Sequence, residues 1–308
     1  MKHTWKITIV LLIMFLITQL IGLVVINFYS GNTLPYGMEP PEEKVSPAIG
    51  FSSIIFAFTI AVLLIFLLMR FKLKTILRTW FFVVVILAVA LSLYVILAYF
   101  NAPKAAILAI LLAIPFAFFK VIKQNIIIHN LSELLIYPGI AAVFVAILTQ
   151  WGLMPGLIVV SLLLITISLY DIYAVWHAGF MQKMAKYQIN HLNFFAGFFV
   201  PYAGKKEIKK IKLLKQKYKN KKIPNKEIKK KKIKVSLAIL GGGDVVFPLI
   251  TAGVLLRLVG LVPALFVVVF STISLLLLFV LAKKGKFYPA MPFISAGCFV
   301  GMFLGLIV

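Results

Sequence analysis

The sequence predicts an all-α polytopic membrane protein with nine transmembrane helices, and two observations support this fold class. Hydrophobic residues make up 63% of the 308 residues, and the mean hydropathy is +1.08. Soluble globular domains are only about half apolar, so the composition excludes them. The apolar residues are also gathered in runs of about 20, which is the length that a helix needs to cross a bilayer.

Nine apolar segments follow one another along the chain. They are Trp5–Phe28, Ile49–Met69, Thr79–Tyr99, Ala105–Phe119, Leu131–Gln150, Met154–His177, Val235–Leu256, Leu261–Ala282 and Phe287–Val308. The first lacks the small-residue cleavage site of a secretory signal peptide, so we expect it to remain in the mature fold. The chain thus divides into a six-helix membrane part (1–178), a basic cytoplasmic loop (179–234) and a three-helix membrane part (235–308).

The positive charges predict the orientation. With the N-terminus inside, all but three of the 32 Lys and Arg residues fall on the inner side, the exceptions being Lys44, Lys104 and Arg257. Lys120 is among the inner residues, in the loop that follows the fourth span. Positively charged loops stay in the cytoplasm, so we expect a cell-membrane protein with a cytoplasmic N-terminus and an extracellular C-terminus.

The large loop carries 18 of these cations, between Lys183 and Lys234. At a membrane surface such charge predicts contact with anionic lipid headgroups, and a nucleic-acid partner is not expected. The aromatic stretch Gln188–Tyr202 is expected to lie in the interface or pack on the bundle. The Lys-rich remainder, Lys205–Lys232, is expected to be solvated, poorly ordered and dispensable for chemistry.

Aspartate is scarce, and its placement is informative. The chain has two, Asp171 and Asp244, and both fall inside predicted spans. A charge near the bilayer centre costs at least ~2.5–3.5 kcal/mol, so such residues are usually functional. No cation falls within the core of either span to pair with them. Counting about 1.5 Å per helical residue, both lie roughly 9–14 Å below the inner surface, at matching depth.

Matching depth permits a carboxylate dyad. Two close carboxyls in a low dielectric share a proton, so one acts as a base towards water while the other acts as an acid towards a carbonyl oxygen. No metal or cofactor is expected, because the four His residues show no paired spacing and Cys298 is the single cysteine.

Three short motifs surround these residues. Tyr170 precedes Asp171, three glycines (Gly241, Gly242 and Gly243) precede Asp244, and the last span opens with Tyr288-Pro289-Ala290-Met291-Pro292. Consecutive glycines disfavour a helix and allow close approach of another backbone. Two prolines indicate an irregular helix entry with unpaired backbone groups.

In this order the motifs resemble those of the presenilin and signal peptide peptidase family of intramembrane aspartyl proteases. That family carries Tyr-Asp in its sixth span, Gly-x-Gly-Asp in its seventh and Pro-Ala-Leu in its ninth. The resemblance implies a presenilin-like fold and orientation, transmembrane protein or peptide substrates, and activity without accessory subunits, as in compact microbial homologues. It also implies catalytic and substrate-positioning residues. The catalytic pair would be Asp171 and Asp244, and the positioning residues Tyr170, Gly241, Gly242, Gly243, Pro289, Ala290 and Met291.

Met291 stands where the family usually has Leu. Because the two side chains have similar volume, the change puts substrate selection in question more than activity.

Other functions remain open on the sequence alone. Paired intramembrane acids also relay protons, so a proton-coupled transporter or channel is the main alternative. A transporter would need a pathway open to both faces, whereas both acids are predicted near one face. A prepilin-type peptidase shares the Gly-x-Gly-Asp element, but it would need fewer spans and gives no reason for Pro289-Ala290-Met291. A structural role is the remaining alternative.

Overall fold

A computed structural model describes residues 5–40, 45–71, 73–123, 125–177, 196–203, 235–282 and 288–308. The helices are α1 (Trp5–Ser30), α2 (Pro47–Arg70), α3 (Lys74–Tyr99), α4 (Ala105–Ala117), α5 (Ile126–Thr149), α6 (Leu153–Trp176), α7 (Gly242–Leu258), α8 (Leu261–Leu281) and α9 (Met291–Ile307). A one-turn π-helix, Phe118–Ile122, continues α4, and two strands, β1 (Gly197–Ala203) and β2 (Val235–Gly241), precede α7.

The predicted all-α membrane architecture is confirmed. The described ranges contain nine α-helices, and seven helical segments are long and apolar enough to cross a membrane, with the π-helix counted as part of α4. The other two, α7 and α9, have 17 residues each. These two shorter helices are the ones that follow the Gly-rich and Pro-rich motifs, so each short helix begins where the sequence disfavours helical backbone.

Helix α7 is central and α2 is peripheral. α7 packs against α1, α5, α6, α8 and α9, and it is buried along most of its length. A helix that is apolar on all sides is expected in such an interior position. By contrast, no side chain of α2 that the structure describes is buried, and this helix packs mainly on α3 and α6.

The predicted seventh span is wrong in its first third. Residues Val235–Gly241 form strand β2 instead of helix, and β2 pairs antiparallel with β1 so that Gly197 lies opposite Gly241. A short apolar run is compatible with either a helix or a strand. Here the glycines that follow disfavour a continuous helix, and β1 supplies hydrogen-bonding partners for an extended segment.

The predicted starts of three other helices also shift, and α9 begins at Met291 rather than Phe287. α3 begins at Lys74 rather than Thr79. α5 begins at Ile126 rather than Leu131, where Asn125 caps it by accepting hydrogen bonds from the Ile127 and Ile128 N–H groups. Asn is a preferred N-cap residue, so the cap extends the helix beyond the apolar run.

Within the stretch Gln188–Tyr202, residues from Ala196 onward are described, and there Phe198 is fully buried. Packing of this part on the bundle is therefore confirmed. The predictions for Lys205–Lys232 lie outside the described residues.

Candidate active site

Asp171 lies inside α6 and meets the first turn of α9. Its side chain is 4% exposed, and the Met291 N–H donates a hydrogen bond to its Oδ2 at 3.0 Å. The Ala290 main chain also bonds this carboxyl. The first N–H groups of a helix have no partner within the helix, and the helix N-terminus attracts negative charge. Asp171 thus caps α9 from a different helix.

The Pro-rich motif explains where α9 begins. Tyr288 and Pro289 are not helical, Pro289 is buried, and Pro292 occupies the first turn of α9. Proline is tolerated there because it lacks an N–H that would have no helical partner. The predicted irregular entry is confirmed. The N–H groups there that have no partner within α9 donate to Asp171 instead.

Asp244 lies in the first turn of α7. Gly241 is the N-cap of this helix, and its main chain hydrogen-bonds the Asp244 carboxyl. A side chain that reaches back from the third helical position to the N-cap is the geometry of a capping box. From α1, the Gln19 amide donates to the Val245 carbonyl at 2.9 Å and so holds the same turn.

The three glycines differ in what they contact. A Cβ added to Gly241 would lie 3.1 Å from Asp244 Oδ2, and one added to Gly242 would lie 2.9 Å from the Tyr137 hydroxyl of α5. At Gly243 the added Cβ would make only ordinary contacts with Phe247. At two of the three positions a side chain would therefore press on Asp244 or Tyr137, and glycine leaves room for these two groups.

Helices α6, α7 and α9 pack against one another, and they bring the two carboxyl groups within electrostatic range. The depth of Asp244 in the structure differs in origin from the helical count used in the prediction. Asp244 follows a strand, which rises about 3.3 Å per residue, more than twice the helical rise assumed in the depth estimate.

An apolar cavity of about 940 Å³ adjoins this site. Its walls come from α2, α5, α6 and α7, and they include Tyr170, next to Asp171, and Phe247, one turn after Asp244. The Tyr170 ring packs edge-on against Phe58 of α2, with ring centroids 5.8 Å apart. The predicted site residue Tyr170 thus lies on the cavity wall.

The structure contains a second buried group of polar side chains that was not predicted from the sequence. Lys120 of the π-helix pairs with Glu133 of α5, and His129 of α5 lies beside them; these side chains are 2%, 1% and 4% exposed. The sequence-based assignment of Lys120 to an inner loop is wrong. A signal was present, because Glu133 is an acidic residue inside a predicted span and His129 precedes it by one helical turn.

Among the residues that the structure describes, no group of three His, Cys, Asp or Glu side chains is placed to hold a metal ion. The arrangement offers acid and base groups beside an apolar cavity, all carried by the chain itself.

The fold and site define a multi-pass membrane protein with two carboxyl groups in electrostatic range of each other among its packed helices. The family model described as "Signal-peptide peptidase, presenilin aspartyl protease" matches residues 12–308. The chain therefore belongs to this family, and it is an aspartic intramembrane protease. The resemblance inferred from the three motifs is confirmed.

Two solved structures share the fold. Both are titled as a presenilin family intramembrane aspartate protease, one in a C222 and one in a P2 crystal form. The first has a TM-score of 0.59 at 18% identity and covers 97% of this chain and 98% of its own. The second has a TM-score of 0.57 at 17% identity, with 96% of each chain covered. No curated protein sequence matches the chain significantly.

Proposed function

We propose that Asp171 and Asp244 are the catalytic pair and that they hydrolyse peptide bonds of transmembrane substrate segments by activating water. The observation that carries this proposal is that both carboxyls lie within electrostatic range of each other, next to residues that line the apolar cavity, and that each is bonded by backbone groups. Fixed orientation matters because general acids and bases act only within hydrogen-bond reach of the reacting atoms.

The reaction follows from the pairing. One carboxylate takes a proton from water, and the resulting hydroxide attacks the scissile carbonyl carbon. The other carboxyl donates its proton to the carbonyl oxygen, and a proton later passes to the leaving amine as the C–N bond breaks. Two carboxyls that share one proton supply both roles without further groups.

Substrate access is supported by the cavity. Its walls are apolar and it borders α2, the helix without buried side chains among those described. An apolar substrate helix entering beside α2 would displace few packed contacts. The same wall carries Tyr170, so we propose that this residue positions the substrate next to Asp171.

A substrate helix must unwind before attack, and its freed backbone groups need partners. The β1 edge of the two-stranded sheet is covered, because Asn130 of α5 exchanges hydrogen bonds with the main chain of Phe199 at 2.8 and 2.9 Å. The outer edge of β2 pairs with no other described strand. We propose that the extended substrate adds to the β2 edge, next to Asp244.

The test is cleavage of a labelled transmembrane peptide by the purified protein in detergent. We expect two complementary fragments from the protein alone, because accessory subunits are not required in this proposal. A proton-coupled transporter would instead leave the peptide intact and acidify or alkalinise liposomes when its substrate is added. Intact peptide over a range of apolar sequences contradicts the proposed function.

Pro289 supplies a separate prediction. Pro289→Ala should loosen the entry to α9, because proline restricts the backbone that precedes Met291. We expect kcat/KM to fall about tenfold through misplacement of Asp171, while the free energy of unfolding changes by about 1 kcal/mol or less. Peptide cleavage and thermal unfolding of the same preparation measure both. Equal losses of stability and activity would assign the proline a structural role only.

Orientation is also a proposal, with the N-terminus and the basic loop in the cytoplasm and the C-terminus outside. In a Cys298→Ala background, Lys219→Cys in the basic loop should resist an impermeant thiol reagent in intact cells and react after permeabilisation. Asn32→Cys, which is exposed in the loop after α1, is the matched control and should react from outside. The reverse labelling pattern would overturn the orientation. Contact of the basic loop with anionic lipid headgroups remains a prediction from its charge.

A further inference from the structure

Three buried polar side chains form what we call the anchoring cluster: Lys120, His129 and Glu133. The Lys120 ammonium donates to Glu133 Oε1, and it also lies 3.4 Å from His129 Nδ1. His129 Nε2 is 3.4 Å from Glu133 Oε1. Each member therefore contacts the other two.

The anchoring cluster binds the main chain of one residue, Gly197 of β1. The Gly197 N–H donates to Glu133 Oε1 at 3.1 Å, and the Gly197 carbonyl accepts from His129 Nε2 at 2.8 Å. These partners assign the neutral histidine tautomer that carries its proton on Nε2, with Nδ1 accepting from the lysine. Both polar groups of Gly197 are thus satisfied by α5.

Gly197 in turn lies next to the segment that carries Asp244. It is opposite Gly241 in the sheet, and the preceding residue, Ala196, accepts a hydrogen bond from the Gly242 N–H at 3.2 Å. Gly241 is also the residue whose main chain holds the Asp244 carboxyl. Three hydrogen bonds therefore connect the anchoring cluster with that carboxyl: from the cluster to Gly197, from Gly242 to Ala196, and from Gly241 to Asp244.

Tyr137 extends the same face of α5 towards α7. It follows Glu133 by four residues, and its ring meets the Phe198 ring edge-on with centroids 5.6 Å apart. Its hydroxyl lies 2.9 Å from the position that a Cβ at Gly242 would take. The anchoring cluster and Tyr137 therefore fix the junction of β2 and α7 from one helix.

We propose that the anchoring cluster is a positioning device for Asp244, acting through Gly197 and the β1–β2 pair. This inference rests on the proposed catalytic role of Asp244. A buried ion pair seldom adds stability over apolar side chains of similar volume. The anchoring cluster instead fixes the position of the Gly197 main chain, because apolar side chains could not bind both the N–H and the C=O of this residue.

The test compares two double variants that differ only in the acceptor facing Gly197. Lys120→Met with Glu133→Gln removes both charges and keeps an oxygen for the Gly197 N–H. Lys120→Met with Glu133→Leu removes the charges and that oxygen. Changing both partners avoids an uncompensated buried charge. We expect kcat at least tenfold lower in the Leu variant than in the Gln variant, with KM within threefold, since small misplacements near the chemistry can cost about 100-fold.

A second pair of variants, at His129, tests the proposal if the double variant with Glu133→Leu does not fold. His129→Gln keeps a donor for the Gly197 carbonyl, whereas His129→Leu removes it, and both leave the Lys120–Glu133 pair intact. The same kcat difference is expected at equal melting temperature. A merely structural cluster would lower the melting temperature without separating kcat from KM.

Equal kcat within both pairs would overturn the positioning role while leaving the proposed function untouched. Cleavage by an Asp244→Asn variant, measured in parallel, would instead overturn the proposed function.

Discussion

Asp171→Asn and Asp244→Asn are each expected to abolish cleavage in a protein that remains folded. An amide cannot take a proton from water, nor can it share a proton with the other carboxyl. Loss of one general acid or base lowers rates by about 10²–10⁴, and here each variant also removes the pairing on which the other group depends. The double variant should be no worse than either single variant, because residues acting as a unit are not additive. Peptide cleavage measures the loss.

Stability should be equal or higher in these variants. An Asn at position 171 still offers a carbonyl oxygen to the Met291 N–H, and removing a buried charge relieves the cost of desolvation. Ser168→Ala is the matched control, since Ser168 bonds Ser295 at 2.8 Å between α6 and α9, one turn from Asp171. We expect this control to keep activity within a few fold. Substantial cleavage by either Asn variant would remove that residue from the mechanism.

If the two carboxyls share a proton, kcat/KM should follow a bell-shaped pH profile. The two apparent pKa values then belong to the pair and not to either residue. A profile with a single limb would indicate that only one of the two groups titrates in the reaction.

The sequence is most informative where the free-energy cost of a residue does not depend on how the chain folds. An aspartate inside an apolar span is expensive wherever its helix packs, so Asp171 and Asp244 stand out as functional candidates from their positions in the chain. The Pro289–Pro292 entry was likewise predictable, because proline limits its own backbone.

The sequence was less informative where the conformation or burial of a residue depends on contacts with residues far away in the chain. Val235–Gly241 becomes a strand because β1 lies beside it, and β1 is separated from it by more than 30 residues. Lys120 looked like a loop cation because the apolar run ends there. Its burial depends on Glu133, which lies on the next helix. Such pairings are non-local and cannot be obtained from periodicity.

Pairing of the substrate with the open edge of β2 should depend strongly on one residue, and the hydrogen-bond register of the sheet identifies which residue. Because Gly242 N–H bonds Ala196 across the sheet, the pairs Leu240–Phe198 and Ala238–Val200 are hydrogen-bonded by the antiparallel alternation. The intervening pair, Ile239–Phe199, is not bonded across the sheet, and Phe199 bonds Asn130 instead. The N–H and C=O of Ile239 therefore point to the open edge of β2.

Ile239→Pro should remove the outward donor without touching the bonds to β1, since proline is tolerated at strand edges. We expect kcat/KM to fall between about 10- and 100-fold, because an extended substrate loses a backbone hydrogen bond worth about 1 kcal/mol and is misplaced against Asp244. Ile239→Ala retains the N–H and controls for the lost side chain. Ala238→Pro removes a donor that faces β1, so it should lower the melting temperature as well as activity. If Ile239→Pro cleaves as fast as Ile239→Ala, the substrate does not pair with β2, and its unwound backbone must find partners elsewhere around the cavity.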